Sequence, residues 1–343
     1  MAYTTINKST LHHDCNLYQA NGSGLTISGM EFKPDFIWTK NRSTGNYFPA
    51  LVDAVRGGTK KIFSCNDNAE STDSGAVTSF TSDGYVFGSS GSFNYSTNNY
   101  VNWCWKAAGT SGSSNGDGSI TSTVSANQTA GFSIVTYTGT SSNATVGHGL
   151  NAVPKFIMAK RLTDAESWGT YHVSNGAGKY MKLENTEAVQ TASTVWNGTT
   201  PTSSVFSLGT SGLCNGSGKD MVAYCFAEIK GFSKFGSYTG NGNSNGTFIY
   251  TGFKPKWIML KRTDSADWWG LWDNKRLGYN PDNYHMRINE TNYTEASKVV
   301  EQFSNGFKIK ETDTAINASG GNYIYMAFGQ SLVGSNNVPC TAR

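Results

Sequence analysis

The sequence is poor in charge, poor in proline and without a long apolar run. Of its 343 residues, 15% are charged and 7 are Pro, and the formal net charge is +3. No Lys- or Arg-rich run occurs, so the electrostatic footprint of a nucleic-acid-binding protein is missing. No apolar stretch approaches the roughly 20 residues of a membrane-spanning helix, and the first residues lack the charged-then-apolar pattern of an export signal. We therefore expect neither a nucleic-acid partner nor insertion into a membrane.

Cysteine pairs with the spacing of a metal or redox site are also missing. The six cysteines are Cys15, Cys65, Cys104, Cys214, Cys225 and Cys340. Free thiols formed in a reducing cytoplasm are the expected state in a chain of this size, although a disulfide between two of them stays open. His12 and His13 are adjacent, and adjacent side chains of an extended chain point to opposite sides, which disfavours a shared metal ion. We expect no metal and no other cofactor.

What the sequence contains instead is turn and strand chemistry. Gly supplies 39 residues and aromatic residues reach 13%. Such a composition, with abundant Ser, Thr and Asn, favours short strands joined by loops and disfavours a helical protein. At this length two or three domains are expected rather than a single core. The composition therefore predicts an all-β protein of several domains.

An internal repeat divides the chain into three similar parts. A Pro-led block ending in Lys reads FKPDFIWTK at residues 32–40, AVPKFIMAK at 152–160 and FKPKWIMLK at 253–261. About 72 residues after each Pro comes an alternating apolar strand, at residues 101–105, 222–226 and 324–328. A near-constant spacing between two such landmarks indicates one structural unit used three times. Recurrence of Lys40, Lys160 and Lys261 favours a structural role for them, at the charged end of a core strand.

The last strand of each part predicts how that part packs. Its alternate positions are apolar or aromatic in every copy, and they are Val101, Trp103 and Trp105, then Val222, Tyr224 and Phe226, then Ile324, Met326 and Phe328. Alternate side chains share one face of a sheet, so this face should point into a core. The opposite face carries Cys104, Cys225 and Ala327, which fits a close second layer and makes the two thiols core fillers rather than nucleophiles.

We therefore predict an all-β fold of three tandem repeats, each an antiparallel β-sandwich of about 100 residues. The predicted parts are an N-terminal arm (1–16), repeat 1 (17–108), a Gly/Ser-rich linker (109–130), repeat 2 (131–230), repeat 3 (231–331) and a C-terminal tail (332–343). The linker has the composition of a flexible chain, whereas few residues join repeats 2 and 3. The first domain should consequently be more mobile than the other two.

Six blocks of sequence carry a resemblance to a known family. They are MAYTTI at residues 1–6, FKPDFIW at 32–38, DAVRG at 53–57, YVNWCWKA at 100–107, GSITSTVSAN at 118–127 and ATVGHGL at 144–150. Together they resemble a repeated β-domain of structural proteins in marine tailed phages, of the kind found in phages of cyanobacterial and pelagic hosts. Members of that family look like tail-fibre or other virion-surface proteins. The resemblance implies a bacteriophage virion protein, assembled in the cytoplasm of the host bacterium, with other tail or capsid proteins as partners.

Three functions are compatible with such a protein. The leading hypothesis is a tail-fibre or adhesin component whose loops, on a rigid sheet scaffold, bind a glycan or protein of the host surface. Such a protein is expected to be a homo-oligomer, because many weak identical contacts gain avidity. The first alternative is a capsid decoration or cement protein anchored by residues 1–16. The second is a polysaccharide-degrading tail enzyme, which needs two carboxylates across a cleft.

Acidic residues in two corresponding loops are the candidates for such an enzyme. Asp164 and Glu166 follow one Lys-led strand, and Asp264 and Asp267 follow the next. Their pattern is typical of solvated turn residues, and neither a catalytic-triad order nor a phosphate-binding loop occurs in the sequence. A Gly-x-Ser-x-Gly pattern occurs at residues 242–246, but it lies in a Gly- and Asn-rich turn and is not typical of a nucleophile elbow. We therefore expect no enzymatic activity.

Four residues are predicted to contact a ligand or partner. Trp269 and Trp272 have counterparts in Trp168 and Tyr171, which indicates core positions, whereas Trp268 has none and should face outward. An exposed indole offers a flat apolar face to a sugar ring or a partner subunit. The predicted contact residues are Trp268, its loop neighbours Asp267 and Asp264, and His148 in a turn of the second part.

Overall fold

A computed structural model describes residues 4–276, 280, 284–291 and 296–334. All strand ladders in this part of the chain are antiparallel, which confirms the all-β prediction. The described helices are single turns: a 3₁₀ turn (Ser9–Leu11), α1 (Gly91–Asn94), α2 (Ser193–Trp196), α3 (Gly212–Asn215) and α4 (Thr314–Asn317). None of the helices in these residues has the length and apolar character needed to cross a membrane.

The first large sheet is built by the N-terminal third of the chain. The strands here are β1 (His13–Gln19), β2 (Leu25–Ile27), β3 (Phe36–Asn41), β4 (Ala50–Asp53), β5 (Gly57–Phe63), β6 (Ser71–Thr72), β7 (Val77–Thr81), β8 (Gly84–Phe87) and β9 (Asn99–Trp105). Six of them form a sheet of order β1-β9-β3-β4-β5-β6, and β2, β8 and β7 form a small sheet. The Pro-led block and the alternating strand predicted from the sequence are β3 and β9, which pair at its centre.

The second large sheet follows the same plan at its centre. Its region contains β10 (Ser113–Asn115), β11 (Ser122–Asn127), β12 (Phe132–Thr138), β13 (Ala144–Gly147), β14 (Pro154–Arg161), β15 (Gly169–His172), β16 (Lys179–Tyr180), β17 (Gln190–Thr191), β18 (Val205–Leu208) and β19 (Asp220–Ala227). The sheet order is β10-β11-β12-β19-β14-β15, and β13 pairs with β18 and β16 with β17.

The Gly/Ser-rich segment 109–130 differs from the flexible linker predicted for it. It contains β10 and β11, which pair with each other, and β11 also pairs with β12. Edge strands obtain their cohesion from backbone hydrogen bonds, which Ser, Thr and Asn form as well as apolar residues do. These strands are therefore an edge of the second sheet.

The third large sheet repeats the central pairing once more. Its region contains β20 (Ser233–Thr239), β21 (Phe248–Tyr250), β22 (Lys254–Arg262), β23 (Trp269–Asp273), β24 (Tyr284–Arg287), β25 (Ala296–Ser297), β26 (Val300–Phe303), β27 (Gly306–Ile309) and β28 (Asn322–Gln330). The sheet order is β20-β28-β22-β23-β24-β25, beside a small sheet of order β21-β27-β26. Residues 335–343, most of the predicted C-terminal tail and including Cys340, lie outside the described residues.

Each large sheet packs one face against the smaller strands next to it. These three separate cores contain Cys104 with Tyr85, Cys225 with Phe206, and Ala327 with Phe307. All six side chains are fully buried. Both thiols therefore lie in apolar cores, as predicted, and burial raises the pKa of each well above its usual value.

The other faces of the three large sheets meet in a single shared core. The alternating apolar residues of β9, β19 and β28 belong to this core, together with residues of β3, β14 and β22. At its centre Trp105, Phe226 and Phe328 form a triangle, with ring-centroid distances of 6.0 Å for Trp105–Phe226, 5.7 Å for Trp105–Phe328 and 6.0 Å for Phe226–Phe328. The face predicted to be buried is buried, but against the other two sheets rather than within one unit. Strands covered on both faces explain why the Pro-led blocks are apolar throughout.

Buried lysines join the three sheets in a closed cycle. The recurrent lysines are at most 1% exposed. Each ammonium donates to a backbone carbonyl in a loop of another sheet: Lys40 to Glu290 at 2.7 Å, Lys160 to Asp67 at 3.2 Å and Lys261 to Thr186 at 2.9 Å. The first sheet thus contacts the third, the second contacts the first, and the third contacts the second. This placement agrees with the structural role predicted for these lysines.

A second set of hydrogen bonds joins the same three pairs of sheets at other residues. It starts from the ends of β4, β15 and β23, and the pairs are Tyr224 Oη to Asp53 at 2.8 Å, His172 Nε2 to the Tyr325 carbonyl at 3.1 Å, and Trp103 Nε1 to Asp273 at 3.0 Å. Every sheet is therefore bonded to both others through buried polar groups. The greater mobility predicted for the first domain does not fit this arrangement.

The described N-terminal residues pack on the protein itself. Ile6 is 2% exposed and belongs to the shared core. The Ser9 N–H donates to Gln330 Oε1 at 2.6 Å, and Lys256 Nζ donates to the Ser9 hydroxyl at 3.0 Å. Residues 13–16, assigned to the predicted arm, begin β1. From Thr4 onward, the predicted arm is thus part of the folded body.

Candidate binding surfaces

The exposed Trp268 indole predicted from the sequence is not found. Trp268 is 7% exposed and belongs to the core between the third large sheet and its small sheet. Its ring stacks on His285 with centroids 4.4 Å apart, and the Arg287 guanidinium lies 5.3 Å from its centre. Trp268 does face away from Trp269, but that side of the sheet is covered as well. An indole in this position stabilises the core and is not free to stack on a ligand.

Asp267 is held at the junction of the second and third sheets. Its backbone N–H donates to the Thr186 carbonyl at 2.7 Å, and its own carbonyl accepts a hydrogen bond from Lys261 Nζ at 2.5 Å. Partial burial raises the pKa of its carboxyl. The main chain of Asp267 is therefore part of the contact between the sheets.

His148 lies in a turn, as predicted, and it is fully buried there. Its Nδ1 accepts a hydrogen bond from the Leu150 N–H at 3.2 Å, and its Nε2 faces the Thr202 carbonyl at 3.2 Å. Burial lowers the pKa of the imidazole, which keeps the ring neutral. A neutral ring with both nitrogens engaged stabilises the turn and offers no group to a ligand.

A polar cleft of about 350 Å³ lies between the first and second large sheets. Its floor is formed by β10, β11, β12 and the start of β19, and its opposite wall by the β4–β5 turn and the residue before β6. The polar groups of this first inter-sheet cleft include Ser114, Thr121, Thr123, Thr136, Thr138 and Asp220 on the floor and Arg56 and Glu70 on the wall.

The pairing register of the strands places the hydroxyls of the floor next to one another. Ser114 pairs with Thr123, and Thr123 pairs with Thr136, so three hydroxyl side chains lie side by side across three strands. The next row contains Thr138 opposite Asp220, whose carboxylate accepts a hydrogen bond from the Thr138 hydroxyl at 3.2 Å. Neighbouring strands are roughly 4.8 Å apart, which fixes the spacing of these hydroxyls. The cleft thus has a floor of evenly spaced polar groups.

The wall of the cleft is charged but internally paired. Arg56 donates from Nε to Asp53 at 2.6 Å, from Nη1 to Glu70 at 2.9 Å and from Nη2 to Tyr224 Oη at 3.0 Å. Burial opposes its charge, but the Asp53 carboxylate raises the pKa of Arg56 above its usual value. This guanidinium is therefore a permanent cation whose donors link the first two sheets.

A second inter-sheet cleft of about 310 Å³ lies at the corresponding place between the second and third sheets. Its polar groups include Ser174, Asn175 and Lys179 of the second sheet and Ser237, Asp264 and Asn322 of the third. A backbone hydrogen bond of 3.0 Å bridges the sheets beside each cleft, from Glu70 to Leu162 at the first and from Val189 to Thr263 at the second. Asp264, one of the predicted contact residues, thus lines this second cleft.

An exposed aromatic face covers the small sheet beside the third large sheet. Phe248, Tyr250 and Phe303 are 45%, 60% and 36% exposed, and the rings of Phe248 and Phe303 are 5.9 Å apart between centroids. The two residues of β21 point outward around the buried Ile249. Three exposed rings on one small sheet form an apolar patch of the kind found at interaction sites.

Strand register shows that the first small sheet has no aromatic residues at the corresponding positions. Ile249 pairs with Phe307 as Ile27 pairs with Tyr85, so Phe248 and Tyr250 take the places of Thr26 and Ser28 in the first small sheet. Phe303 pairs with Gly306 as Thr81 pairs with Gly84. The three aromatic residues therefore occupy positions that hold small polar side chains, Thr26, Ser28 and Thr81, in the first small sheet.

Asp164 and Asp264, two of the candidate carboxylates in the predicted catalytic loops, are held in ion pairs. Asp164 lies 2.9 Å from Lys219 and 3.2 Å from Arg161, and the Lys219 ammonium lowers the pKa of its carboxyl. Asp264 lies 2.8 Å from Arg262, which lowers its pKa although partial burial acts in the opposite direction. Among the described residues, no group of three or more His, Cys, Asp or Glu residues could hold a metal ion.

The His12-His13 pair is divided between two environments. His13 stacks on Trp105 with ring centroids 4.5 Å apart, and its Nδ1 lies 3.0 Å from the Cys104 carbonyl. Burial lowers the pKa of His13 to about 4. His12 is only partly buried and its Nδ1 contacts the Asn127 amide at 3.2 Å. The two rings thus serve different packing contacts, in keeping with the opposite directions expected for adjacent residues.

Neither cleft is among the sequence-based predictions, and only part of the first could have been. The alternation of Thr136 and Thr138 with apolar neighbours marks a polar face on β12. The wall formed by Arg56 and Glu70 is about 80 residues away in sequence, and no local pattern connects it to that face. The aromatic face was easier to predict from the sequence, because the segment 247–250 differs clearly from its counterpart in the second part of the chain.

Comparison with known protein families gives one match. The family model described as "Domain of unknown function (DUF7483)" matches residues 8–331, which is nearly the whole chain. No protein with curated function and no solved structure matches significantly.

Proposed function

The chain belongs to this family, and we propose that it is a structural protein on the surface of a bacteriophage particle, as a tail-fibre or adhesin component that binds the host surface. In this proposal the chain consists of three tandem β-sandwich repeats and forms a homo-oligomer together with other virion proteins. It has no enzymatic activity and needs no cofactor. The resemblance of six sequence blocks to structural proteins of marine tailed phages supports the virion location.

The observation that carries the proposal is the closed cycle of contacts around the shared core. Each of the three sheets is hydrogen-bonded to both others, and Trp105, Phe226 and Phe328 meet at the centre. Such an arrangement opposes relative motion of the sheets, because any hinge movement would break buried contacts on two sides. A rigid body with varied surface loops suits a protein that presents binding groups rather than one that closes on a substrate.

The solvent-facing groups support attachment as the task of that rigid body. The aromatic face and the two inter-sheet clefts are open surfaces, and they combine exposed rings with hydroxyl, amide and carboxylate groups. This is the chemistry with which adhesive surfaces contact glycans and proteins.

Capsid decoration through an N-terminal arm receives less support. Thr4, Ile6 and Ser9 are buried against the body of the protein, so these residues are engaged before any shell is met. Hydrolysis of polysaccharide also receives less support, because a general acid needs a raised pKa, whereas ion pairs lower the pKa of Asp164 and Asp264. The pKa of Asp267 is raised, but its carboxylate accepts a hydrogen bond from the Trp268 N–H at 3.0 Å and lines neither inter-sheet cleft.

Location and copy number on the particle test the proposal. Purified virions would be labelled with antibodies against the full-length chain and imaged, and copies per particle would be counted by quantitative mass spectrometry. We expect label on the tail and tens of copies. Hundreds of copies on the shell would replace the tail assignment by capsid decoration, and absence from purified particles would overturn the virion assignment.

Attachment itself is tested with the purified oligomer and intact host cells. Saturable binding to host cells, and none to cells of a resistant strain, is the expected result. A purified oligomer that binds neither cells nor isolated surface polysaccharide would refute the adhesion part of the proposal. Release of oligosaccharides from that polysaccharide would instead support the enzyme alternative.

A further inference from the structure

We infer that the first inter-sheet cleft is a binding site for a neutral oligosaccharide. The inference rests on the proposed attachment function and names the ligand class of one site. Its basis is the combination of a hydroxyl-lined floor, two carboxylates and a cation that is already paired, within a cleft of about 350 Å³. That volume lies within the roughly 300–1,000 Å³ that is typical of small-molecule sites.

The hydroxyls of the floor are available to a ligand. In the part of the chain that the structure describes, the side chains of Ser114, Thr121, Thr123 and Thr136 form no hydrogen bond with other protein groups. Each hydroxyl can donate one hydrogen bond and accept two. Held on paired strands, these groups lose little freedom when a ligand binds, which favours recognition of a polyhydroxylated molecule.

The carboxylates of the cleft match sugar hydroxyls. Glu70 and Asp220 are acceptors only, and each has lone pairs left after its contact with Arg56 or Thr138. A sugar ring presents hydroxyl donors to such carboxylates and ring or glycosidic oxygens to the Thr hydroxyls. Hydrogen bonds to a charged acceptor are stronger than neutral ones, so Glu70 and Asp220 should supply much of the selectivity.

The charge balance selects against acidic sugars and free phosphate. The cleft is lined by one cation, Arg56, and by two anions, Glu70 and Asp220. The Arg56 donors are occupied by Asp53, Glu70 and Tyr224, so this guanidinium does not present a fork to an incoming anion. A further cation, Lys60, lies 3.7 Å from Glu70 and donates to the Thr72 hydroxyl at 2.8 Å, so an anionic ligand would have to compete with these contacts, whereas a neutral sugar meets complementary polar groups.

Apolar atoms complete the site. Val55 and Leu162, which are only partly buried, also line the cleft and offer a surface to the C–H face of a pyranose ring. The second inter-sheet cleft, at the same place between the next two sheets, has a similar size and a similar set of hydroxyl and amide groups. Two such sites on one rigid chain, and more on an oligomer, would convert weak single contacts into firm attachment.

Titration of the full-length chain, methyl-labelled at Thr, tests this inference. The probes are neutral glucose-, galactose- and mannose-based oligosaccharides of two to four units, with a uronic-acid oligosaccharide as the anionic comparison. We expect saturable shifts of the Thr123, Thr136 and Thr138 methyl signals with at least one neutral probe, and weaker shifts with the anionic one. Stronger binding of the anionic probe would contradict a neutral ligand, and unshifted signals with all probes would overturn the site.

Variants separate binding from folding. Replacing two hydroxyls by methyls of similar shape, in T123V/T136V, should weaken affinity roughly tenfold or more by calorimetry. D220N changes an exposed carboxylate and should weaken it several-fold even if the double variant is poorly folded. T129V, an exposed control in the β11–β12 turn, should bind like the wild type. Unchanged affinity in both cleft variants would also overturn the site.

These outcomes are independent of the location test. A chain found on virions but silent towards every oligosaccharide keeps its proposed function and loses this site. A chain that binds an oligosaccharide through the cleft but is absent from virions keeps the site and loses the proposed function.

Discussion

The indole N–H of Trp103 donates a 3.0 Å hydrogen bond to the carboxylate of Asp273, which belongs to a different sheet. The same carboxylate accepts a hydrogen bond from Arg276 Nε at 2.7 Å. Burial alone would raise the pKa of Asp273, but the Arg276 guanidinium holds it below its usual value. One ionised carboxylate therefore closes the cycle between the third sheet and the first.

Removing this carboxylate should destabilise the whole protein. D273A removes the carboxylate that pairs with the buried Arg276 guanidinium, and we expect the free energy of unfolding to fall by about 3–5 kcal/mol. W103F deletes the donor and some ring volume, and should lower it by about 2 kcal/mol. Denaturant unfolding provides the measurement, and D117A, at an exposed Asp, should stay within about 0.5 kcal/mol of the wild type. A loss below about 1 kcal/mol in D273A would show that the cycle is not closed in solution.

Two buried histidines predict a loss of stability in acid. Burial lowers the pKa of His13 and of His172 to about 4, from 6.5 in an unfolded chain. Between pH 6.5 and 4 the unfolded chain binds more protons than the folded one, so stability falls as pH decreases through this window. Each ring should account for about 3 kcal/mol between these limits.

Glutamine variants isolate this effect from the titration of carboxylates. The curve of unfolding free energy against pH should be flatter for H172Q and for H13Q than for the wild type, by about 3 kcal/mol in each case. The comparison is made relative to each protein's own value at pH 7.5, which removes the constant cost of the substitution. Parallel curves for wild type and variants would mean that the imidazoles are not buried as described.

The buried lysines predict a further rise of stability with pH on the alkaline side. Burial lowers the pKa of Lys40 to about 7 and those of Lys160 and Lys261 to about 8, from 10.5 when unfolded. From pH 7 to 9 the folded chain releases these protons while the unfolded chain keeps them, so stability rises with pH. For Lys40 the gain should be about 2 kcal/mol.

Methionine keeps the length of the lysine side chain and removes its charge. K40M should therefore lose the gain of about 2 kcal/mol between pH 7 and 9, measured by denaturant unfolding at each pH. K310M, at an exposed lysine, serves as the control and should follow the wild-type curve. If K40M and the wild type gain equally, the Lys40 ammonium is hydrated and the contact with Glu290 is not formed.

The aromatic face provides a test of attachment away from the clefts. Replacing Phe248, Tyr250 and Phe303 together by Ser should leave the melting temperature nearly unchanged, since these rings are largely exposed. Because exposed rings are frequent anchors of interfaces, cell-bound protein should decrease roughly tenfold. T26A/T81A changes the corresponding positions of the first small sheet and should bind normally. A triple variant that attaches like the wild type would exclude this face from the contact.

The strands were largely predictable from the sequence, and their partners were not. The Pro-led blocks and the alternating strands lie in β3, β14 and β22 and in β9, β19 and β28, because period-two alternation reports a local property of the chain. The alternation does not show which part of the protein covers the face that contains Trp103, because that depends on residues distant in sequence. A pattern that is satisfied by a core within one domain is satisfied equally by a core between sheets.

The prediction of a contact site at an exposed Trp268 was wrong for the same physical reason. Adjacent side chains of an extended segment point to opposite sides, and Trp268 and Trp269 do lie in different cores. The predicted exposure of Trp268 is wrong, because His285 and the small sheet cover that side as well. Composition misled at residues 109–130, where Ser and Gly suggested a linker although backbone pairing alone is enough to hold two edge strands.

Because the cycle of contacts forms within one polypeptide, different sides of its surface can carry different residues. In a symmetric trimer every substitution occurs three times, so a change that suits one position must be tolerated at all three. Here the ring is closed by a single chain, and each junction has its own side chains, such as Tyr224 at one and Trp103 at another. Rings at positions 248, 250 and 303 could therefore arise on one side of the body while Thr26, Ser28 and Thr81 kept the other side hydrophilic. A body of three mutually bonded sheets can in this way carry a one-sided surface.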